Sequence, residues 1–239
     1  MPAFSIMDLD PWRAHEELVL AILREALSRL SVETGWYGAG ELDINRRLYQ
    51  LFVVVNRERA LRGERSLDHS PQYDAGIPPH VDDPKLAPHE YKRPDFQVSL
   101  CDHLSHDSSN WVRHYTVECK RLHPREGGRD FVEQYVSQGV KRYIDPQHKY
   151  GLRTRSGAMV GYLQSLAYEV ALEGVNSHVT KLPLAELQLC QPASYDPYIL
   201  DHEFERSFPE LSFRLTHLWT AMQSAIDTDT AAGASASAN

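Results

Sequence analysis

From Pro11 to Leu30 the apolar positions Trp12, Leu18, Leu20, Ile22, Leu23, Leu27 and Leu30 recur at the spacing of one helix face, which predicts an amphipathic α-helix. Glycines at 35, 38 and 40 break it. A second helix is expected from near Glu41, because Leu42, Ile44, Leu48, Leu51, Phe52 and Val55 again recur at three and four until Gly63. From Gly63 to Arg93 neither period is sustained, and prolines stand at 71, 78, 79, 84 and 88. That stretch reads as a long loop, either a flap facing a substrate or plain disorder. The period then changes to two. Phe96 to Leu100 alternates apolar and polar, His114 to Cys119 is rich in β-formers, and the polar connection Asp102 to Asn110 suits a hairpin between them. Helical character returns at Asp130 to Ile144. A third strand is expected over Ala158 to Leu163, leading into a helix through Ala171, and a last strand over Phe213 to Leu218. Helices first, then strand, strand, helix, strand predicts an α/β sandwich built around a mixed sheet.

The length, 239 residues, suits one substantial domain. We expect it to span 1–225, with a helical part over 11–62, the loop over 63–93, a core over 94–175 and a C-terminal strand region over 176–225. The small polar end TAAGASASAN, within 226–239, is expected to be disordered. No apolar run reaches the roughly 18 to 20 residues that a membrane span needs. The start, MPAFSIMDLDPW, lacks a basic stretch followed by an apolar one, so a cytoplasmic location with no membrane partner is the expectation. Three cysteines, odd in number and without a CxxC pair, are expected to be reduced and mostly buried.

Charge adds a distinction. A net charge of -8 argues against a protein that coats nucleic acid passively. Yet Arg113 to Arg155 carries ten Lys and Arg against five acids, a net +5 inside an acidic chain. A basic face of that kind can contact phosphates while the remainder stays acidic.

Within this stretch lie Glu118 and Lys120, two apart on a predicted strand and so on one side of a sheet, with Cys119 on the other. Asp95, at the start of the neighbouring strand, can reach the same point if the two strands pair. Carboxylates that hold a hard divalent cation, beside a fixed positive charge, are the groups that phosphodiester hydrolysis requires. Arg93-Pro94-Asp95 at a strand start, followed after 22 residues by Glu118-Cys119-Lys120 at the end of the next strand, resembles the PD-(D/E)xK nuclease superfamily. The resemblance implies a restriction-endonuclease-like three-layer sandwich with a central mixed sheet flanked by helices. It also implies dependence on Mg2+ or Mn2+ and DNA, rather than RNA, as the usual partner. By the same resemblance Asp95, Glu118 and the backbone carbonyl of Cys119 would hold the metal, and Lys120 would orient the attacking water or steady the transition state. Glu41 is the first choice for an additional acid from the preceding helix and Asp43 the second, although acids in a first helical turn also favour the helix dipole without any catalysis. Gln134, Gln138, Lys141 and Arg121 are the candidates for contact with substrate.

The expected function is therefore a metal-dependent DNA endonuclease, with restriction or anti-phage defence as the setting and a homodimer or a defence-complex partner as the assembly. The alternative is a catalytically weak nuclease-like subunit or scaffold that binds nucleic acid or a partner protein. Other features carry less. Asp102-His103 with His106-Asp107 has zinc-binding residue types, but a polar hairpin accounts for them. His69, His80 and His89 are expected to be solvated, and His217 to be structural and partly buried. Arg121, Arg125 and Arg129 either track a phosphate backbone or sit in a solvated loop. Gly127-Gly128 lacks the lysine of a phosphate-binding loop, and no GxSxG elbow is present.

Overall fold

A computed structural model describes residues 10–79, 88–103, 105–106, 111–182, 184–190, 196–207 and 212–223. Helix α1 spans Pro11–Ser31, with Asp10 accepting from the backbone N–H groups of Trp12 and Arg13 and a proline in its first turn. Helix α2 spans Glu41–Leu61 after Gly40; no side chain caps it, and Glu41 and Asp43 lie in its first turn. The strands are β1 (Gln72–Tyr73), β2 (Phe96–Cys101), β3 (Val112–Leu122), β4 (Ser156–Leu163), β5 (Gln188–Leu189), β6 (Tyr198–Glu205) and β7 (Ser212–Ala221). Between β3 and β4 run α3 (Phe131–Tyr135), a π-helical turn (Val136–Val140) and α4 (Lys141–Ile144); α5 (Tyr168–Val179) follows β4.

These strands form one seven-stranded mixed sheet in the order β1-β2-β3-β4-β7-β6-β5. The centre, β3-β4-β7, is parallel, and the flanking pairs are antiparallel. Alternation along the central strands sends side chains to opposite faces. Val117 and Cys119, with Ala158, Val160, Tyr162 and Leu218, pack under α1 and α2. Leu122, Met159, Leu163, Leu215 and Trp219 pack under α3, the π turn and α5. Both faces of the centre are covered, and β4, between β3 and β7, is buried along its whole length, as a parallel strand covered on both sides should be. The chain is thus an α/β protein with helices on both faces of a mixed sheet.

Several expectations need correction. The stretch over 63–93 is not free of secondary structure: Gln72 and Tyr73 pair with Gln97 and Phe96, and Pro88–Tyr91 forms one 3-10 turn. The helix expected to end at Ala171 instead begins at Tyr168 and runs to Val179. Gly174 interrupts its apolar pattern because a Cβ there would stand 2.9 Å from Val132 on α3; the glycine permits the close approach. Strands β5 and β6 were not anticipated. His89 is buried rather than solvated, while His69 is exposed. Of the cysteines only Cys119 is buried: Cys101 closes β2 at its hairpin end and Cys190 follows the edge strand β5, and both are exposed. Asp102 is committed to an ion pair with Arg113 at 2.6 Å, on the hairpin where zinc was considered. His80, Asp107, Asn110 and the tail over 226–239 lie outside the described residues. Among those described, no helix is long and apolar enough to cross a membrane.

Candidate functional site

The register of β2 against β3 pairs Phe96 with Val117 and Gln97 with Thr116. Asp95, one residue before Phe96, therefore stands level with Glu118. Here the β2–β3 ladder ends with Phe96 and Val117, and the parallel pairing of β3 with β4 begins, with Glu118 opposite Met159. Glu41 arrives from the opposite helical layer, at the first turn of α2.

Four charged side chains and one carbonyl converge there. Lys120 Nζ lies 2.8 Å from Glu118 Oε1 and 2.8 Å from Glu41 Oε1, and it donates to the carbonyl of Cys119 at 2.8 Å. The carbonyl expected to face a metal thus accepts from Lys120 here. The second oxygen of Glu41 accepts from the backbone N–H of Arg121 at 3.3 Å. Asp95 Oδ2 accepts from the backbone N–H of Cys119 at 2.7 Å, and its Oδ1 accepts from Asn45 Nδ2 at 2.8 Å. Asn45 is itself oriented by the hydroxyl of Tyr162, which donates to its Oδ1 at 2.8 Å. Glu118 is 1% exposed, and its Oε2 has no hydrogen-bond partner.

The electrostatics follow from that crowding. Burial, and next the charge of Glu118, push the Asp95 carboxyl up to about 8. Burial also raises Glu118, against the pull of Lys120 and Arg142. For Lys120, burial acts to lower the ammonium, but Glu118, Glu41 and Asp95 outweigh it and hold it above its ordinary value. Buried carboxylates with raised pKa values around a retained cation occur at functional sites and also in structural ion-pair networks.

Comparisons with protein-family models, curated proteins and solved structures find no match to this chain.

The structure brings Asp95, Glu118, Lys120, Glu41 and the Cys119 carbonyl together. It does not bring every candidate. Asp43 is exposed, as are Gln138 and Lys141, while Gln134 is partly buried on α3. Arg121 contributes its backbone N–H, and its guanidinium lies 4.6 Å from the centre of the Phe131 ring. Arg125 and Arg129 are exposed.

Two residues were missed. Arg142 forms a short ion pair with Glu118 through Nη1, which also lies 3.3 Å from the Tyr150 hydroxyl. A straight helix would carry Lys141, not Arg142, round to the site. The π turn inserts one extra residue per turn and shifts the register by one. Asn45 was hidden because a lone buried asparagine in an amphipathic helix carries no periodic signal. Its burial beside Asp95 becomes visible only when α2 is packed against β3.

Whether this set fits a divalent cation depends on its donors. Among the described residues no group of three or more His, Cys, Asp and Glu side chains is arranged to hold a metal. Two carboxylates and a carbonyl are a smaller set, of the kind Mg2+ accepts while keeping several of its waters. The unpartnered, buried Oε2 of Glu118 is an acceptor for which the protein supplies no donor, and a carboxylate oxygen in that condition fits a cation.

Proposed function

We propose that this chain is a metal-dependent DNA nuclease with a restriction-endonuclease-like fold, centred on Asp95, Glu118 and Lys120. The observation that supports it most is their convergence where the start of β2 meets β3, around a buried carboxylate oxygen with no hydrogen-bond partner in the protein. Asp95, Glu118 and the Cys119 carbonyl would hold Mg2+ or Mn2+, which when bound polarises a phosphoryl oxygen and lowers the pKa of a bound water. Lys120, held between Glu118 and Glu41, is placed to orient a water or to steady charge on phosphorus, and Glu41 fixes the lysine. Restriction or anti-phage defence is the setting we favour, with DNA as the partner.

The test is cleavage of supercoiled plasmid and of single-stranded DNA in Mg2+ or Mn2+. The wild type is compared with Asp95→Ala and Lys120→Ala. Loss of one transition-state stabiliser costs on the order of a hundredfold or more in rate, so Lys120→Ala should fall at least that far. Cutting undiminished in Lys120→Ala would remove the lysine from the mechanism.

One observation favours a second reading, a catalytically weak module that binds DNA or a partner: Glu118 Oε1 is already engaged by both Lys120 and Arg142. DNA binding without cutting in either metal, on every substrate form, would select that reading.

A further inference from the structure

A cleft of about 460 Å³ opens beside the carboxylate site. Its floor is the face of β2 and β3 that also carries Glu118: Gln97, Ser99, His114 and Thr116 line it. Gln97 and Thr116 are register partners, one same-face step from the level of Glu118. Two residues along a strand is roughly 7 Å, which sets the distance along β3 from the floor at Thr116 to the level of Glu118. A second link runs through the wall, which includes Lys149 and Gly151: the neighbouring Tyr150 reaches Arg142, and Arg142 pairs with Glu118.

The other face of these two strands is apolar and packed under α1 and α2, while this one is polar. Ser99 Oγ and His114 Nδ1 are hydrogen-bonded at 2.9 Å, and Gln97 Nε2 donates to the carbonyls of Ala75 and Gly76. The floor is thus fixed before anything binds. Trp111, 42% exposed, supplies a large ring at the wall, and Lys149 supplies positive charge. No aspartate or glutamate is among the described lining residues. A volume of this size, with an aromatic wall, a polar floor and cationic charge, complements a flat ring that carries an anionic group.

We infer that the cleft seats an unpaired nucleotide of the substrate strand, so that the chain acts on single-stranded or locally opened DNA. This rests on the nuclease reading of the adjacent carboxylates. A base inside a duplex cannot enter such a cleft, whereas an unstacked one can lie against the tryptophan while its phosphate meets Lys149.

Binding without metal separates the two readings. Fluorescence anisotropy in EDTA would compare a labelled oligothymidylate with a duplex of equal length, for the wild type, Trp111→Ala and Lys149→Glu, with thermal unfolding confirming that each variant is folded. Both substitutions lie at the cleft's solvent-facing wall, outside the core. The expected result is single-strand binding at least tenfold tighter than duplex binding, weakened about tenfold by Trp111→Ala and by a similar factor or more by Lys149→Glu. Duplex bound as tightly, variants that bind like the wild type, or binding of thymidine monophosphate alone without the oligonucleotide would each overturn it. Single-strand binding that depends on Trp111 in a protein that cuts nothing keeps the cleft and removes the nuclease. Mg2+-dependent cutting of single strands that Trp111→Ala leaves unchanged does the reverse.

Discussion

Asn45 touches no substrate in the proposed mechanism, yet it links two layers of the molecule at the site. It is 2% exposed, donates to Asp95 and accepts from Tyr162 on the central strand β4. Replacing it with leucine keeps the side chain's approximate size but leaves a carboxylate oxygen and a buried tyrosine hydroxyl without this partner. Leaving buried polar groups unpaired costs about 1–3 kcal/mol each. Asn45→Leu is therefore expected to lower the stability to urea by about 2–3 kcal/mol and to reduce cutting, since Asp95 loses one of its two orienting bonds. An unchanged urea midpoint would show that water replaces the lost bonds at no cost. Such a role is illegible in sequence: Asp95, Glu118 and Lys120 were found by spacing, whereas Asn45 lies 50 positions from the carboxylate it positions.

The elements that shape the site are those whose local pattern is broken. α1, α2, β2, β3 and β7 were legible because their apolar residues repeat at the period their backbone demands. β6 was not, because His202 is buried in its middle and reads as a polar break in the alternation. The crossover from β3 to β4 was legible as a helix but not as a helix with a π turn, and that one-residue shift decides that Arg142 faces Glu118. The segment after it departs furthest from regular structure. Lys149, Gly151 and Arg153 all have positive φ, and a Cβ at Gly151 would stand 2.8 Å from the Phe213 ring. What holds this irregular segment is Arg206, whose guanidinium donates to the carbonyls of Tyr143, Tyr150, Gly151 and Thr154 and stacks on Phe213. One buried cation thus replaces the hydrogen bonds that a regular helix or strand would have provided. Arg206→Met keeps much of the apolar stem but leaves four carbonyls without that donor. A loss of about 3 kcal/mol or more in chemical denaturation is expected, with cleavage by proteases concentrated between Asp145 and Arg155. Retained stability with an intact segment would mean that the four carbonyls find water without cost.

Across the whole molecule, the sheet separates two differently built cores. The one under α1 and α2 is dominated by aliphatic side chains. The other holds a polar string in which Trp219 Nε1 donates to Tyr135 Oη at 2.8 Å, and Tyr135 Oη lies 2.7 Å from His217 Nδ1. The His202 ring is 5.6 Å from that of His217, and both residues are essentially unexposed. Burial holds both imidazoles below their ordinary value; the backbone carbonyl of Ala185 partly offsets it for His202, which is lowered to about 4, and the charge of His202 lowers His217 further. The unfolded chain takes up these protons as pH falls through about 6.5, and the folded chain does not until well below that. The stability the two residues contribute is therefore complete above about pH 6.5 and is lost progressively as pH falls toward 4. One pKa unit is worth about 1.4 kcal/mol, so His202 alone accounts for up to about 3 kcal/mol across that window. Asp95 acts in the opposite direction: its carboxyl is raised, so the folded chain holds more protons there, and without metal its effect favours the fold as pH drops from about 8. A single melting curve would mix the two slopes. The informative measurement is the difference in unfolding free energy between the wild type and His202→Leu as a function of pH. The variant should lose less stability between pH 6.5 and 4, narrowing or reversing whatever gap separates the two proteins at neutral pH. Parallel curves over that range would mean that His202 takes up its proton in the folded protein as readily as in the unfolded chain.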